Sequence, residues 1–306
     1  MKSFSELERQ CSLCFENAGP YWHLWTPEDH PIVFPDELAF MAGMNILAIC
    51  AKMFSDVTII TFQLMTNHLH LTAAGPRDAV ERMMARFIKS LFKYLRAGGL
   101  MLDKAKFRPS MRQITSLLDL RNVIIYNNRN GYVVSPDETP MSYRWGANSC
   151  FFNPAIKARF RESRSTLSVR EKRHYARTHD ADGITGIITV DGYACPLSFC
   201  AIAFGERLFR CASHYFRELS RNIESQKTIA DEIGERIFYA DDELFSIVTG
   251  LSKKKYGQMS VALLPAQAKT DLAAILHYDY NAGNKQIIRM LKIDPQIVAS
   301  LFPERY

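Results

Sequence analysis

Between residues 79 and 97 the apolar side chains recur at intervals of three and four: Val80, Met83, Met84, Phe87, Ile88, Leu91, Phe92 and Leu95. Such spacing gathers them on one stripe of a helix. Arg82, Arg86, Lys89, Lys93 and Arg96 fill the other side. A helix divided this way needs a second layer to cover its apolar stripe. The segments before it supply one. Residues 21–26 (YWHLWT) are β-rich and follow Gly19-Pro20, which predicts a strand. Residues 36–54 are long, apolar and punctuated only by Gly43, as a buried helix is. Val57–Leu64 reads as a strand, Met65-Thr66-Asn67 as a turn, and His68–Ala73 as its hairpin partner.

The order strand, helix, strand, strand, helix makes up most of a ferredoxin-like α+β sandwich, an antiparallel sheet with helices. A further helix is predicted over 119–130, closed by Gly131. The chain has 306 residues, 47% of them hydrophobic, enough for about two domains. No segment approaches the roughly 18 uncharged apolar residues of a membrane helix. The N-terminal MKSFSELERQCSLC is charged and lacks a secretory pattern. The seven irregularly spaced cysteines read as reduced thiols of a cytoplasmic protein. Cys11 and Cys14 form a CxxC, but no second pair follows at zinc-finger spacing.

The net charge of +6 is unevenly spread. Residues 82–112 carry nine Lys or Arg against Asp103 alone, and 157–177 carry eight against Glu162 and Glu171. Residues 231–243 reverse this, with six acidic side chains and one Arg. Basic blocks of this kind suit a polyanion surface, and they suit solvated helix faces equally well. Residues 155–184 are basic and polar, as a linker or a DNA-contacting arm would be, and 186–195 resemble a short hairpin across Asp191-Gly192. The expected divisions are 1–150, a basic linker and small intermediate region over 151–235, and a mainly helical region over 236–306.

Near the C-terminus, Ala266–Tyr280 reads as a helix. Asn284 is expected to cap Lys285–Leu291, Lys292-Ile293-Asp294 to turn, and Pro295–Leu301 to begin again with Pro at its first position. Two short helices so joined make a helix-turn-helix, whose second member can enter the major groove of duplex DNA. Lys285, Gln286, Arg289 and Gln296 are its candidate DNA contacts, beside the five basic residues of 82–96.

The candidate chemistry lies in Met65-Thr66-Asn67-His68-Leu69-His70-Leu71. Residues two apart on a strand share a face, so His68 and His70 can face outward and share one divalent cation while Leu69 and Leu71 pack into the core. This MTNHLHL element resembles the MPNHxHL signature of the HUH-type tyrosine transposases, in particular the REP-associated and related insertion-sequence transposases. Tyr126–Val134 (YNNRNGYVV) and Pro140-Met141-Ser142-Tyr143 resemble the same family's downstream NPVxxGLV and PxSSY block. The resemblance covers residues 20–150 and extends loosely to the C-terminal helix pair.

It implies an HUH endonuclease domain that cuts single-stranded or hairpin DNA without ATP. A tyrosine would become linked to a 5′-phosphate, assisted by Mg²⁺ or Mn²⁺ on His68 and His70. In the simplest members a Gln four residues after the tyrosine completes the metal site; here Tyr126 and Asn130 stand at that spacing. In REP-associated members the tyrosine lies earlier, in a stretch corresponding to Phe107–Arg112, which contains none, and after Tyr126 the next candidates for the nucleophile are Tyr132 and Tyr143. The family also implies a possible homodimer. Two readings follow: an active strand transferase using Tyr126, or a domesticated, inactive relative that binds DNA by sequence. A metal-dependent hydrolase unrelated to DNA is a third use of the histidines, and the basic helix and the C-terminal pair weigh against it.

Overall fold

The computed structural model describes residues 3–133, 139, 141–221, 229–230, 239–258 and 260–303. The chain divides into two compact units, residues 1–132 with 138–229, and residues 133–137 with 230–306. The protein is α+β, with a four-stranded antiparallel sheet and many helices.

In the first unit, α1 (Phe4–Glu16) precedes β1 (Tyr21–Trp25), α2 (Glu37–Met53), β2 (Thr58–Leu64), β3 (Leu69–Ala74), α3 (Arg77–Ala97), β4 (Ser110–Ile114) and α4 (Leu117–Val133). The sheet order is β2-β3-β1-β4. Asp36 starts α2 by accepting a hydrogen bond from the Ala39 amide, the usual N-terminal cap. The apolar stripe of α3 is buried along its whole length, from Val80 to Leu95. It packs with α2 on one face of the sheet, the face carrying Leu24, Leu71 and Met111. α4 lies on the other face, where Asn127 donates to Thr72 of β3. Contrary to expectation Gly131 does not end α4, which runs on to Val133. Gly131 lies where a Cβ would overlap the Gln63 side chain and the Tyr143 ring, so the missing side chain serves close packing.

Residues 151–221, expected as linker and intermediate region, belong to this first unit. α5 (Pro154–Glu162) and α6 (Val169–Ala176) are ordinary capped helices. α6 lies against α2 and α3, and Ala176, Leu167, Ala181 and Ile187 join Ala48 and Ile49 of α2 in a small core. Four of the eight basic residues of 157–177 already have partners. Lys157 pairs with Glu206, Arg159 with Asp191 and Arg173 with Asp182, and buried Lys172 donates to the Asp182 and Ile184 carbonyls. Sequence composition cannot reveal such partners, because several lie tens of residues away. The hairpin of β5 (Thr189–Val190) and β6 (Tyr193–Ala194) turns through Asp191 and Gly192, both at positive φ, as a two-residue hairpin requires. Two further helices, α7 (Ile202–Arg207) and α8 (Ala212–Arg221), complete the unit.

The second unit holds α9 (Asp241–Tyr256), α10 (Ala266–Tyr278), α11 (Asn284–Leu291) and α12 (Pro295–Leu301). The cap of α11 is Gly283 rather than Asn284, whose side chain instead donates to the Phe302 carbonyl. No helix among the described residues is long and apolar enough to cross a membrane, and all seven cysteines are free.

Candidate active site on the α4 face of the sheet

Alternation along the strands sends every second side chain to the α4 face, and the register sorts these into two rows. One runs Gln63, His70, Trp25, Ser110 across β2, β3, β1 and β4. The next runs Thr61, Thr72, His23, Arg112. α4 seals the second row with polar bonds. Asn127 Nδ2 donates to Thr72 Oγ1 at 2.8 Å, and the Asn128 amide oxygen accepts from the Thr61 hydroxyl. Arg112 holds Asp119 with two bonds of 2.8 Å each. The sequence showed Asp119 on the same helix as Tyr126; its partner across the sheet could be found only from the register.

Tyr126 comes to the histidines. Its ring lies 5.4 Å from that of His70 and 6.3 Å from that of His23, centroid to centroid. His68 and His70 are 5.1 Å apart, edge to face. The two sequence-singled histidines and the tyrosine are therefore neighbours, brought together by β3 and α4.

The pair fits a shared divalent cation in two respects. Imidazole nitrogens bind such ions at about 2 Å, and rings this close can converge on one. In addition, His68 Nδ1 lies 2.9 Å from Asn67 Oδ1. A carbonyl oxygen only accepts, so Nδ1 carries the proton and Nε2 keeps its lone pair, the arrangement commonly found behind ligating histidines. Among the described residues no three His, Cys, Asp or Glu side chains are grouped to hold a metal. Further ligands must then be amide oxygens, water or substrate. Asn130, the sequence candidate, is buried on α4. The amide in register with His70 is that of Gln63.

Two expectations change. Both histidines were expected to face solvent, yet His70 is 0% exposed, His68 6% and Tyr126 2%; α4 covers the face they share. And His23, unmarked in the sequence, proves to be the third imidazole of the site, stacked 5.8 Å from His70. Burial holds His23 well below the usual histidine range, the nearby His70 and Arg112 add to this, and a bond to Asn127 opposes it. Its signal in the sequence was alternation along YWHLW, which gives a face without saying what lies on it. Tyr143, a second tyrosine candidate, donates its hydroxyl to the Leu64 carbonyl at 2.7 Å. The side chain of Tyr132, the other candidate, is outside the described residues.

Of the basic face of α3, Lys89, Lys93 and Arg96 are exposed. Arg82 pairs with Asp78 on its own helix, and Arg86 with Asp180. In the second unit, Arg289 holds Asp241 at 2.8 Å and Gln286 donates to the Tyr239 carbonyl and to Asp241. Lys285 and Gln296 are exposed. A cleft of about 580 Å³ lies on the opposite side of the sheet from the histidines, lined by Leu24, Met84, Ile88, Met111 and the cations Lys104 and Arg108.

The chain matches no family model, no curated protein and no solved structure.

The buried histidines set the response to acid. His214 is also depressed, to about 4, chiefly by burial and then by Arg210 and Arg121. Unfolded, both His23 and His214 take up protons near the reference value of about 6.5. The folded state binds fewer protons, so their contribution is complete above pH ~6.5 and declines as pH falls below it. Urea midpoints should drop steadily between pH 7 and 5, and His214→Gln should flatten that drop. An identical slope in the variant would show that His214 does not carry it.

Proposed function

We propose that this protein binds DNA and cuts and rejoins one strand through Tyr126, with His68 and His70 holding a divalent cation. The observation that carries the reading is the 5.4 Å approach of the Tyr126 ring to His70, on the face shared with His68. The strand order β2-β3-β1-β4 over a β-α-β-β-α-β succession is that of a ferredoxin-like domain, and supports an HUH-type assignment.

In the proposed reaction the Tyr126 hydroxyl loses its proton to solvent and its oxygen attacks phosphorus. The bond from phosphorus to the 3′ oxygen breaks, and that oxygen leaves and is protonated. The 5′-phosphate stays on the tyrosine, so the strand can be resealed by the reverse attack. A bound Mg²⁺ or Mn²⁺ would supply charge stabilisation at the phosphate and favour the phenolate. His70, enclosed beside the phenol, orients it, and Asn67 orients His68. Labelled hairpin DNA incubated with protein and Mn²⁺, then denatured, should leave a covalent protein–DNA adduct.

A second reading has its own support. Tyr126 and His70 are almost completely buried, so cutting requires the α4 face to open to DNA, whereas a relative that only binds DNA has no such requirement. Absence of an adduct across many hairpins, with DNA binding intact, would select the binding-only reading.

Duplex DNA is assigned to α11 and α12. Lys285→Ala and Gln296→Ala in the full chain should weaken duplex binding and spare hairpin binding. Affinity should fall steeply with salt, with a slope of about −0.9 per phosphate contacted. Lys285→Ala should reduce that slope by about one. Arg289→Ala should instead lower stability, because Arg289 is committed to Asp241. Equal duplex affinity in wild type and the Lys285 variant would remove α11 from the interface.

A further inference from the structure

The two basic blocks of the sequence meet where α6 packs on α3. α6 also packs on α2, and α2 and α3 cover the sheet face opposite α4, so the sheet stands between this seam and Tyr126. Lys89, Lys93 and Arg96 follow one another at spacings of four and three, which puts them on one stripe of α3. Arg170, His174 and Arg177 repeat that spacing on α6, with Arg177 as its C-terminal cap. All six side chains are exposed, and none of the five Lys and Arg forms an ion pair among the described residues. The carboxylates nearby are already engaged. Asp36 caps α2, Glu171 is bonded to Ser168, Asp180 holds Arg86 and Asp182 holds Arg173. Cations gathered in this way repel one another, and a polyanion relieves the repulsion.

Three rings cluster at the same seam. The Tyr94 ring lies 5.4 Å from that of His174 and 5.8 Å from that of Tyr175, and the last two are 5.2 Å apart. The Arg177 guanidinium sits over Tyr94, 5.6 Å from its centre. The rings differ in their anchoring. Tyr175 packs against the small core that holds α6 to α2, whereas Tyr94 is half-buried and His174 exposed. Tyr175 and buried Ala176 serve the packing of α6. An exposed imidazole beside Tyr94 adds nothing to that packing, but it offers a flat surface among cations.

We propose that the α3–α6 seam binds a single-stranded polynucleotide, with bases stacked on Tyr94 and His174 and phosphates held by the Lys and Arg stripes on either side. Rings set among cations are what single strands require, because unpaired bases expose their faces and every base has one. A duplex keeps its bases stacked on each other and could use only the cations. The site needs neither Tyr126 nor the histidine pair, so it would hold a strand on the side of the sheet away from them.

The test is binding of short fluorescent oligomers to the full-length protein, with a chelator present so that no divalent cation takes part. Oligothymidylate and oligouridylate tell DNA from RNA as the strand held, and binding of either supports the proposal. An abasic oligomer of the same length carries the phosphates without the bases, and wild type should bind it more weakly. Tyr94→Leu and His174→Ala should each weaken binding of the base-bearing oligomer at least about fivefold, the lower end of what one stacked base contributes. Neither should change binding of the abasic one. Lys93→Ala should reduce the salt slope by about 0.7, the share of one single-strand phosphate. An oligomer carrying 5-iodouracil, irradiated on the protein, should leave its adduct on α3 or α6. Equal affinity of wild type for abasic and base-bearing oligomers would overturn the stacking role. Unchanged affinity in both ring variants, or adducts confined to α4 and the strand face beneath it, would overturn the seam and leave the reading of Tyr126 standing. Absence of single-strand binding by wild type would also overturn the seam, while the covalent adduct with hairpin DNA tests Tyr126 separately. Should Tyr94→Leu fail to fold, His174→Ala decides, since its side chain is exposed.

Discussion

Tyr126→Phe should abolish the covalent protein–DNA adduct, lowering its yield by at least about three orders of magnitude, as loss of a nucleophile does in enzymes that use one. The substitution removes one oxygen and keeps the ring that packs against His70 and His23, so the fold should survive with a cost of about 1 kcal/mol for the lost polar contact. A phenol has a reference value of about 10 and is mostly protonated at neutral pH. Asp119 is bound by Arg112, which leaves it ill-suited to take the proton. The reaction should therefore depend on the added divalent cation and speed up as pH rises from 7 to 9. Tyr143 is a poor substitute, because its hydroxyl is bonded to the Leu64 carbonyl, and Tyr21 is bonded in the same way to Phe15. An adduct of wild-type yield in Tyr126→Phe would move the nucleophile to another residue. The measurement is a denaturing gel with end-labelled hairpin DNA, read beside circular dichroism of both proteins.

The second large effect concerns Gly131. Inside a helix, alanine is favoured over glycine by about 1 kcal/mol, so propensity alone predicts that Gly131→Ala stabilises. Packing predicts the opposite. The new Cβ would overlap the Gln63 amide and come within 2.7 Å of Tyr143 Cε1, and overpacking in a closed core costs about 1–3 kcal/mol or more. Gln63 cannot swing aside easily, because Gly146 closes in from its other flank. Packing should win, with a net loss of about 2 kcal/mol and a melting temperature lower by about 4–8 °C. Gln63→Ala in the same chain should recover much of that loss, since it removes one of the two obstacles, and a double-mutant cycle measures the coupling. A Gly131→Ala protein that melts higher than wild type would mean that α4 is not held this closely against β2.

How much of this was legible in advance follows from the range of the forces involved. Local patterning was enough for the α3 stripe, for α2, for the β2–β3 pair on either side of the MTN turn, and for the start of the last helix at Pro295. Each of these depends on contacts within a few residues or on one buried face. The HxH spacing likewise placed His68 and His70 together, because the period of a strand is local. β4 escaped notice, since Ser110–Ile114 is a short edge strand with little apolar content. The basic run 155–184 suggested an exposed arm, yet Lys157, Arg159, Lys172 and Arg173 find carboxylates and carbonyls that composition cannot locate.

The site shows the same division. By itself the sequence determined which strand carries the histidine pair and that Tyr126 and Asn130 share a helix face. Only the tertiary structure decided that α4 covers that face, that His23 joins it from β1, that Arg112 ties down Asp119, and that Gln63 rather than Asn130 stands in register with His70. Which strands lie side by side, and which helix closes over them, is set by long-range burial of the whole sheet. Side chains far apart in the chain are brought within a few ångströms of one another by that burial, and no local pattern encodes the pairing.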